Sequence, residues 1–365
     1  MQFEQEMESR AEAIQADEKL KVYGRLRCNG VAIMVENVIQ TNSLTKAYGP
    51  HIALDSMNLK VQQGATGLLG PNGAGKSTLI KTLLGLITVS DGEGEVLGYN
   101  IRTEGEEIRK RIGYMPEYDC LDPRLSAVDQ IKYSGELLGM NPSVATQRAH
   151  EVLEYVGLRD QRYREIGTFS TGMAQAAKLA TSIIHDPQLL IADEPTNGLD
   201  TQARDFMLGT VTQIVQEGGR SMLMASHLME DVEKVCSRIV MLHKGKLIAQ
   251  GKIEDLKGID QEIEVHAWGG ATKLEQELND SGLKVRRTGR VLRIIKDDDA
   301  TYSTIIEAAT KTGCQIRRMH DHEPSLEDLF LVIMERLGYE VKSSEDLFAT
   351  GPSARKVDAP EELKG

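Results

Sequence analysis

The chain has 365 residues, 40% of them hydrophobic and 27% charged, and its formal net charge is −12. That length predicts about two or three domains with a substantial core. The acidic balance disfavours a nucleic-acid surface, local basic patches aside, and no run approaches the ~18 consecutive apolar residues of a membrane-spanning helix.

Residues 1–33 are charged and glutamate-rich, without the apolar segment of a secretory signal. Phe3, Met7, Ala11 and Ile14 fall loosely on one helical face. The composition nevertheless favours a flexible extension. Met34 opens residues 34–39, which read as a first strand, so the expectation is that translation begins at Met34. The cysteines, Cys28, Cys120, Cys236 and Cys314, lie far apart with no C-x-x-C pair. That argues against a structural zinc site, suits a reducing cytosol, and leaves each as an ordinary buried or surface residue.

Residues 65–69 form a short, mostly apolar stretch that predicts a buried strand. It leads into Gly70-Pro71-Asn72-Gly73-Ala74-Gly75-Lys76-Ser77-Thr78, which fills every fixed position of the phosphate-binding loop G-x-x-x-x-G-K-[ST]. The glycines let the backbone turn its N–H groups inward on phosphate oxygens. Lys76 has the reach for the β- and γ-phosphates, and the Ser77 hydroxyl can ligate Mg²⁺. A helix beginning at about Lys76 turns its positive end the same way. Leu79, Ile80, Leu83 and Leu84 continue at helical spacing, and Gly85 marks the end. Alone, this loop specifies an NTPase or a kinase.

Residues 113–117 read Gly-Tyr-Met-Pro-Glu, ending in Glu117. Helical periodicity follows over about 118–185, with Ala149, Val152, Leu153 and Val156 marking one amphipathic helix. After Pro187, residues 188–194 are an apolar run closed by Asp193 and Glu194. This is the Walker B pattern, a buried parallel strand with carboxylates at the sheet edge where ligands bind. Asp193 suits Mg²⁺, largely through water. Glu194 is the natural general base for an attacking water. Residues 221–227 read as another buried strand, ending in His227, which has the chemistry to bond the γ-phosphate and hold that water in line.

In this order and spacing, Lys76, Ser170, Asp193, Asp200 and His227 resemble the ATP-binding subunits of ABC transporters over about residues 34–251. Tyr48 matches the family's adenine-stacking aromatic. Phe169-Ser170-Thr171-Gly172-Met173 matches the signature usually written LSGGQ, and Asp200 and His227 match the D-loop aspartate and the switch histidine. The resemblance implies a head-to-tail dimer, with ATP between the phosphate loop of one copy and Ser170 and Gly172 of the other. It also implies that the helical subdomain receives a short helix from a membrane permease beside Glu117. Three departures stand out: Thr171 for glycine and Met173 for glutamine in the signature, Ala176 for a following arginine, and Glu117 for the Q-loop glutamine. They resemble the STGM and YLPE forms of ABC-2-type exporters; the alternative is a degenerate, slow ATPase.

Lys244-Gly245 predicts a hairpin turn that leads into residues 246–251 and closes the first domain. Beyond it, residues 262–268 alternate as a strand, Leu274 and Leu278 mark a helix, and residues 283–287 and 290–296 pair around Gly289. Tyr302, Ile305, Ile306 and Ala309 mark a second helix, and residues 314–319 a last strand. The order βαββαβ is ferredoxin-like. His320, Asp321, His322 and Glu323 read as a polar turn before Pro324 in preference to a metal site. A final helix runs from Ser325, its N-cap, with Asp328 at N3. Residues 323–330 resemble the C-terminal signature of ABC-2-type ATPases, which implies a regulatory or dimer-stabilising role.

The expected organisation is an extension over 1–33, an ABC ATPase domain of P-loop α/β type over 34–251, a ferredoxin-like α+β domain over 260–337 and a flexible tail over 338–365. The expected function is ATP hydrolysis with Mg²⁺, by two such subunits in a homo- or heterodimer at the cytoplasmic face of the membrane. It drives a separate permease, as an ABC-2-type exporter, with no nucleic acid expected. The alternatives are a soluble ABC ATPase acting on ribosomes or DNA, and a small-molecule kinase, which would lack the signature, D-loop and switch histidine.

Overall fold

The computed structural model describes residues 37–257, 262–296, 300–322 and 325–336. The expected extension, the start at Met34, Cys28, Glu323, Pro324 and the expected tail lie outside the described residues. Strands β1 (Asn37–Tyr48), β2 (His51–Met57), β3 (Lys60–Gln62), β4 (Ala65–Leu69), β5 (Asp91–Val96), β6 (Tyr99–Asn100) and β7 (Ile112–Met115) come first. They are followed by β8 (Leu189–Asp193), β9 (Ser221–Ala225), β10 (Arg238–His243) and β11 (Lys246–Lys252). The chain ends its strands with β12 (Glu262–Trp268), β13 (Val285–Thr288), β14 (Val291–Ile295) and β15 (Gln315–His322). Packing divides the chain into two compact units. Residues 37–67, 77–226 and 234–236 form the first, and residues 68–76, 227–233 and the described residues from 237 onward form the second.

In the first unit an antiparallel sheet has the order β2-β1-β5-β6, with β3 also on β1. Val38, Ile39, Leu44, Leu54, Met57 and Val61 are buried against it. A second sheet pairs β7, β8 and β9 in parallel, placing Ile112 opposite Leu189 and Asp193 opposite Ala225. All residues of β8 and β9 are buried, so both are apolar without alternation except at Asp193 and Ser221. Gly113 is needed in β7, because a Cβ there would stand 2.2 Å from the carbonyl oxygen of Ser182. β8 ends one residue before Glu194, whose backbone leaves the extended region at φ +51°.

The predicted helical region resolves into three helices, Ala127–Leu137, Pro142–Tyr155 and Thr171–Ile183, with a 3-10 turn at Ile166–Thr168. Their starts are written locally. Ser126 and Asn141 cap the first two with side-chain oxygens, and Pro142 occupies the first turn, where it loses no hydrogen bond. Ala149, Val152, Leu153 and Val156 are all buried, as their spacing predicted.

In the second unit β10 and β11 form a hairpin whose two-residue turn, Lys244 and Gly245, has positive φ at both positions. That is the geometry whose twist matches antiparallel strands. Strands β12 to β15 form an antiparallel sheet of order β13-β14-β12-β15, with helices Ala271–Asp280 and Ala300–Thr312 between strands as the βαββαβ pattern requires. Ile263, Val265, Leu274, Leu278, Leu292, Ile294 and Ile305 form its core. Ile306, one of the predicted helix markers, is instead 52% exposed.

One expectation is corrected here. The strand predicted over 314–319 continues to His322, and Glu262 pairs with His322, so His320, Asp321 and His322 are strand residues and not a turn. Pairing to β12 overrides their polar composition. Among the described residues no group of three His, Cys, Asp or Glu side chains is placed to hold a metal. The last helix, Leu326–Arg336, starts where predicted: the Asp328 N–H donates to Ser325 Oγ at 3.1 Å, and the Ser325 N–H donates back to Asp328 Oδ2 at 3.1 Å.

Candidate active site

The phosphate loop, residues 70–76, belongs to the second unit, where the β10–β11 hairpin braces it. Gly70 abuts β10 so closely that a Cβ would stand 2.5 Å from the carbonyl oxygen of Leu242. The Ala74 N–H donates to Pro71 O at 3.0 Å, and the Gly245 N–H donates to Ala74 O at 2.9 Å. Lys76 is buried and folds back over the loop, its ammonium donating to Gly70 O at 2.5 Å and Pro71 O at 3.4 Å. This is a backbone cradle with a cation at its centre, and it suits the phosphate tail of a nucleotide. His227, in the same unit, is half-buried and lies just ahead of the Met229–Val235 helix.

In the first unit Asp193 and Glu194 end β8 and are only 5% and 7% exposed. The left-handed backbone at Glu194 is costly for a residue with a side chain, and such strain collects at functional positions. It is held by the Glu194 N–H to Ala225 O at 2.8 Å and by the Asn197 N–H to Glu194 O at 3.1 Å. Ser226 Oγ donates to Glu194 Oε2 at 3.4 Å. Tyr114 on β7 is a neighbour the motifs did not single out. Burial, and then the charge of Asp193, raises its phenol above the ordinary tyrosine range. Ser77 and Thr78 lie in the first turn of the Lys76–Leu83 helix.

Ser170 is exposed and caps the Thr171–Ile183 helix, its Oγ accepting the Met173 N–H at 3.3 Å. A capping hydroxyl accepts with a lone pair, so its own proton stays available to an incoming oxygen. Gly172 lies against the next helix, where a Cβ would meet Ala203 Cβ at 3.3 Å. Asp200 caps that helix, Thr201–Gly218, by accepting the Ala203 N–H at 2.9 Å. Gln175 Nε2 donates to Asn197 O at 3.4 Å, a bond from the signature helix to residues 195–200.

Sequence reasoning missed Lys178. It lies on the signature helix, is 3% exposed, and its ammonium reaches the carbonyl oxygens of Pro116, Glu117 and Tyr118 at 3.1, 3.0 and 3.4 Å. Burial lowers its pKa. The carboxylate of Glu117 itself is exposed. The available signal was a single lysine inside the otherwise small and apolar residues 176–184. Tyr48 ends β1 with its ring 49% exposed and Lys46 Nζ 4.7 Å from the ring centroid, which leaves a face for a base. Cys236 is buried, and desolvation pushes its thiol up to about 12, an inert structural thiol.

A backbone cradle closed by a buried lysine at the head of a helix marks the chain as a P-loop protein that takes a nucleoside triphosphate. Residues 54–197 match the family described as ABC transporter. Over 316 residues the chain is 34% identical to the linearmycin resistance ATP-binding protein LnrL of Bacillus subtilis (strain 168), covering 82% of this chain and 99% of that protein. It is 31% identical over 307 residues to the bacitracin transport ATP-binding protein BcrA of Bacillus licheniformis, covering 82% and 98% respectively. A solved ATP-binding subunit of an ABC transporter superposes with a TM-score of 0.55 at 26% identity, over 60% of this chain and 92% of that one. The chain belongs to the ATP-binding subunits of ABC transporters, and it is an ATPase.

Proposed function

We propose that this ATPase energises a separate permease as the cytoplasmic subunit of an ABC-2-type exporter, acting as a homo- or heterodimer closed around ATP. The observation that carries the dimer is the contrast in exposure: Glu194 is buried, whereas Ser170 faces solvent at a helix N-terminus, where a second copy's nucleotide can reach it. The named relatives, for linearmycin resistance and bacitracin transport, support export of a small molecule. Among the described residues no helix is long and apolar enough to cross a membrane, so a permease would supply the path.

In this reading Gly70, Pro71, Asn72, Gly73, Ala74, Gly75, Lys76, Ser77 and Thr78 hold the phosphates, and Tyr48 stacks on adenine. Ser77, Asp193 and Glu117 offer the hydroxyl and carboxylate oxygens that a hard cation such as Mg²⁺ takes. These residues would supply only part of that ion's shell, leaving the rest to phosphate and water. When bound, Mg²⁺ neutralises charge on the transferred phosphoryl group. Glu194 accepts the proton of the attacking water, and His227 bonds the γ-phosphate and keeps that water in line. Ser170, Gly172 and Asp200 complete the site of the other copy. ATP then bridges the dimer until hydrolysis removes the bridge.

The test is isolation of the tagged chain from cells. Recovery in the membrane fraction with a hydrophobic, multi-span partner, and ATP hydrolysis by that complex, is the expected result. Recovery wholly on ribosomes would overturn the transport reading.

A further inference from the structure

We propose that Glu233 is a positioning residue for hydrolysis, tying the segment that carries His227 to the ferredoxin-like sheet; this rests on the reading of His227 as the switch histidine. Glu233 lies on the Met229–Val235 helix, which begins two residues after His227. Its Oε1 accepts the backbone N–H of Leu326 at 2.7 Å and the ammonium of Lys257 at 2.9 Å. Leu326 opens the last helix, where the first N–H groups lack partners within the helix and the positive end of the dipole favours a carboxylate. Glu233 and Lys257 are only 29% and 27% exposed, so water screens this bridge weakly.

The last helix is itself anchored. Asp328 accepts from Ser325 at the cap and binds Arg293 of β14 at 2.6 Å and His322 of β15 at 3.4 Å. Leu326 and Phe330 are fully buried. A continuous path therefore runs from the sheet, through Asp328 and the first turn of the last helix, to Glu233 and the residues after His227. Any step that moves His227 onto or off a γ-phosphate shifts the helix behind it. That shift either carries the sheet along or breaks the Glu233–Leu326 bond. Glu233 and Leu326 meet behind His227 and not at residues 70–76, so the effect of the tie falls on turnover and the Kd for ATP stays as it is.

The experiment compares full-length Glu233→Ala and Glu233→Gln with the parent, measuring kcat for ATP and the Kd for ATP by direct titration. Glu233→Ala should lower kcat about fivefold or more with Kd unchanged. Glu233→Gln should restore most of kcat, because its amide oxygen still accepts the Leu326 N–H. An unchanged kcat in Glu233→Ala overturns the proposal, and so does a lowered kcat that Glu233→Gln fails to restore. Should Glu233→Ala not fold, hydrogen exchange at Leu326 in the Glu194→Gln chain decides: its rate should change on adding ATP, and an unchanged rate overturns the coupling. Full turnover in His227→Ala would instead strike the reading of His227 and leave the Glu233 tie to the exchange measurement.

Discussion

Lys178 donates from the middle of the signature helix to the carbonyl oxygen of Glu117 at 3.0 Å, and so joins two of the family's motifs within one unit. The bond has neighbours on both sides, at Pro116 O and Tyr118 O. Three carbonyls converging on one ammonium offset the cost of burying it. They also fix the backbone on either side of Glu117, whose own side chain is exposed.

Lys178→Met should therefore be costly in two ways. It leaves three inward carbonyls without a donor, a loss of about 1–3 kcal/mol in denaturant unfolding. It also frees the loop of Glu117, so kcat should fall roughly tenfold while ATP affinity changes little. Urea titration and steady-state ATPase kinetics read both effects. A variant as stable and as active as the parent would show that the three bonds do nothing.

Glu194→Gln should keep ATP binding and slow turnover ~10²-fold or more. The amide is nearly isosteric, so it keeps the left-handed backbone, the Ala225 and Asn197 bonds and the approach of Ser226. What it loses is the ability to take a proton. Gel filtration with ATP should then show a dimer that persists. Hydrolysis at the parent rate would exclude Glu194 as the base.

Gly70→Ala places a methyl group 2.5 Å from a backbone carbonyl of β10, and backbone cannot rotate away as a side chain can. The loop must shift, and the bond from Gly245 to Ala74 shifts with it. Overpacking of this kind costs about 1–3 kcal/mol. ATP affinity should fall alongside the thermal midpoint, measured by titration and calorimetry. Parent-like affinity would mean that the cradle tolerates displacement and that its geometry is not what selects the phosphate.

Much of this was legible in the sequence, for a physical reason. Phosphate loops, strand-end carboxylates and helix caps are local devices, written within a few consecutive residues. The βαββαβ order was readable because each of its strands and helices carries its own period. What escaped were contacts between distant elements. Lys178 went unmarked because its partners, the carbonyl oxygens of Pro116, Glu117 and Tyr118, lie about sixty residues earlier in the chain. Residues 320–322 read as a turn because their composition is polar, and only pairing to β12 makes them a strand. Nothing local in the sequence marks Glu233, because its partner, the N–H of Leu326, lies 93 residues away on the last helix.

His185 gives a pH dependence whose sign follows from one unshared atom. It follows the signature helix, and its Nε2–H donates to Ile112 O of β7 at 3.1 Å, which fixes the neutral tautomer because a carbonyl can only accept. Nδ1 is buried with no hydrogen-bond partner among the described residues. Protonation would place an N–H there with nothing to receive it, and burial accordingly pushes the pKa below the ordinary 6.5, against smaller opposing pulls from Ile112 O and Asp186. The unfolded chain therefore takes up this proton at a higher pH than the folded chain does. Stability from His185 is complete above pH 6.5, falls as the pH drops below it, and stops falling once the folded form is also protonated. Denaturant unfolding across the range from about pH 7.5 to 5.5 should show this loss. His185→Gln, which can still donate to Ile112 O but cannot titrate, should show a shallower one. Equal slopes for parent and variant would place the acid sensitivity elsewhere in the chain.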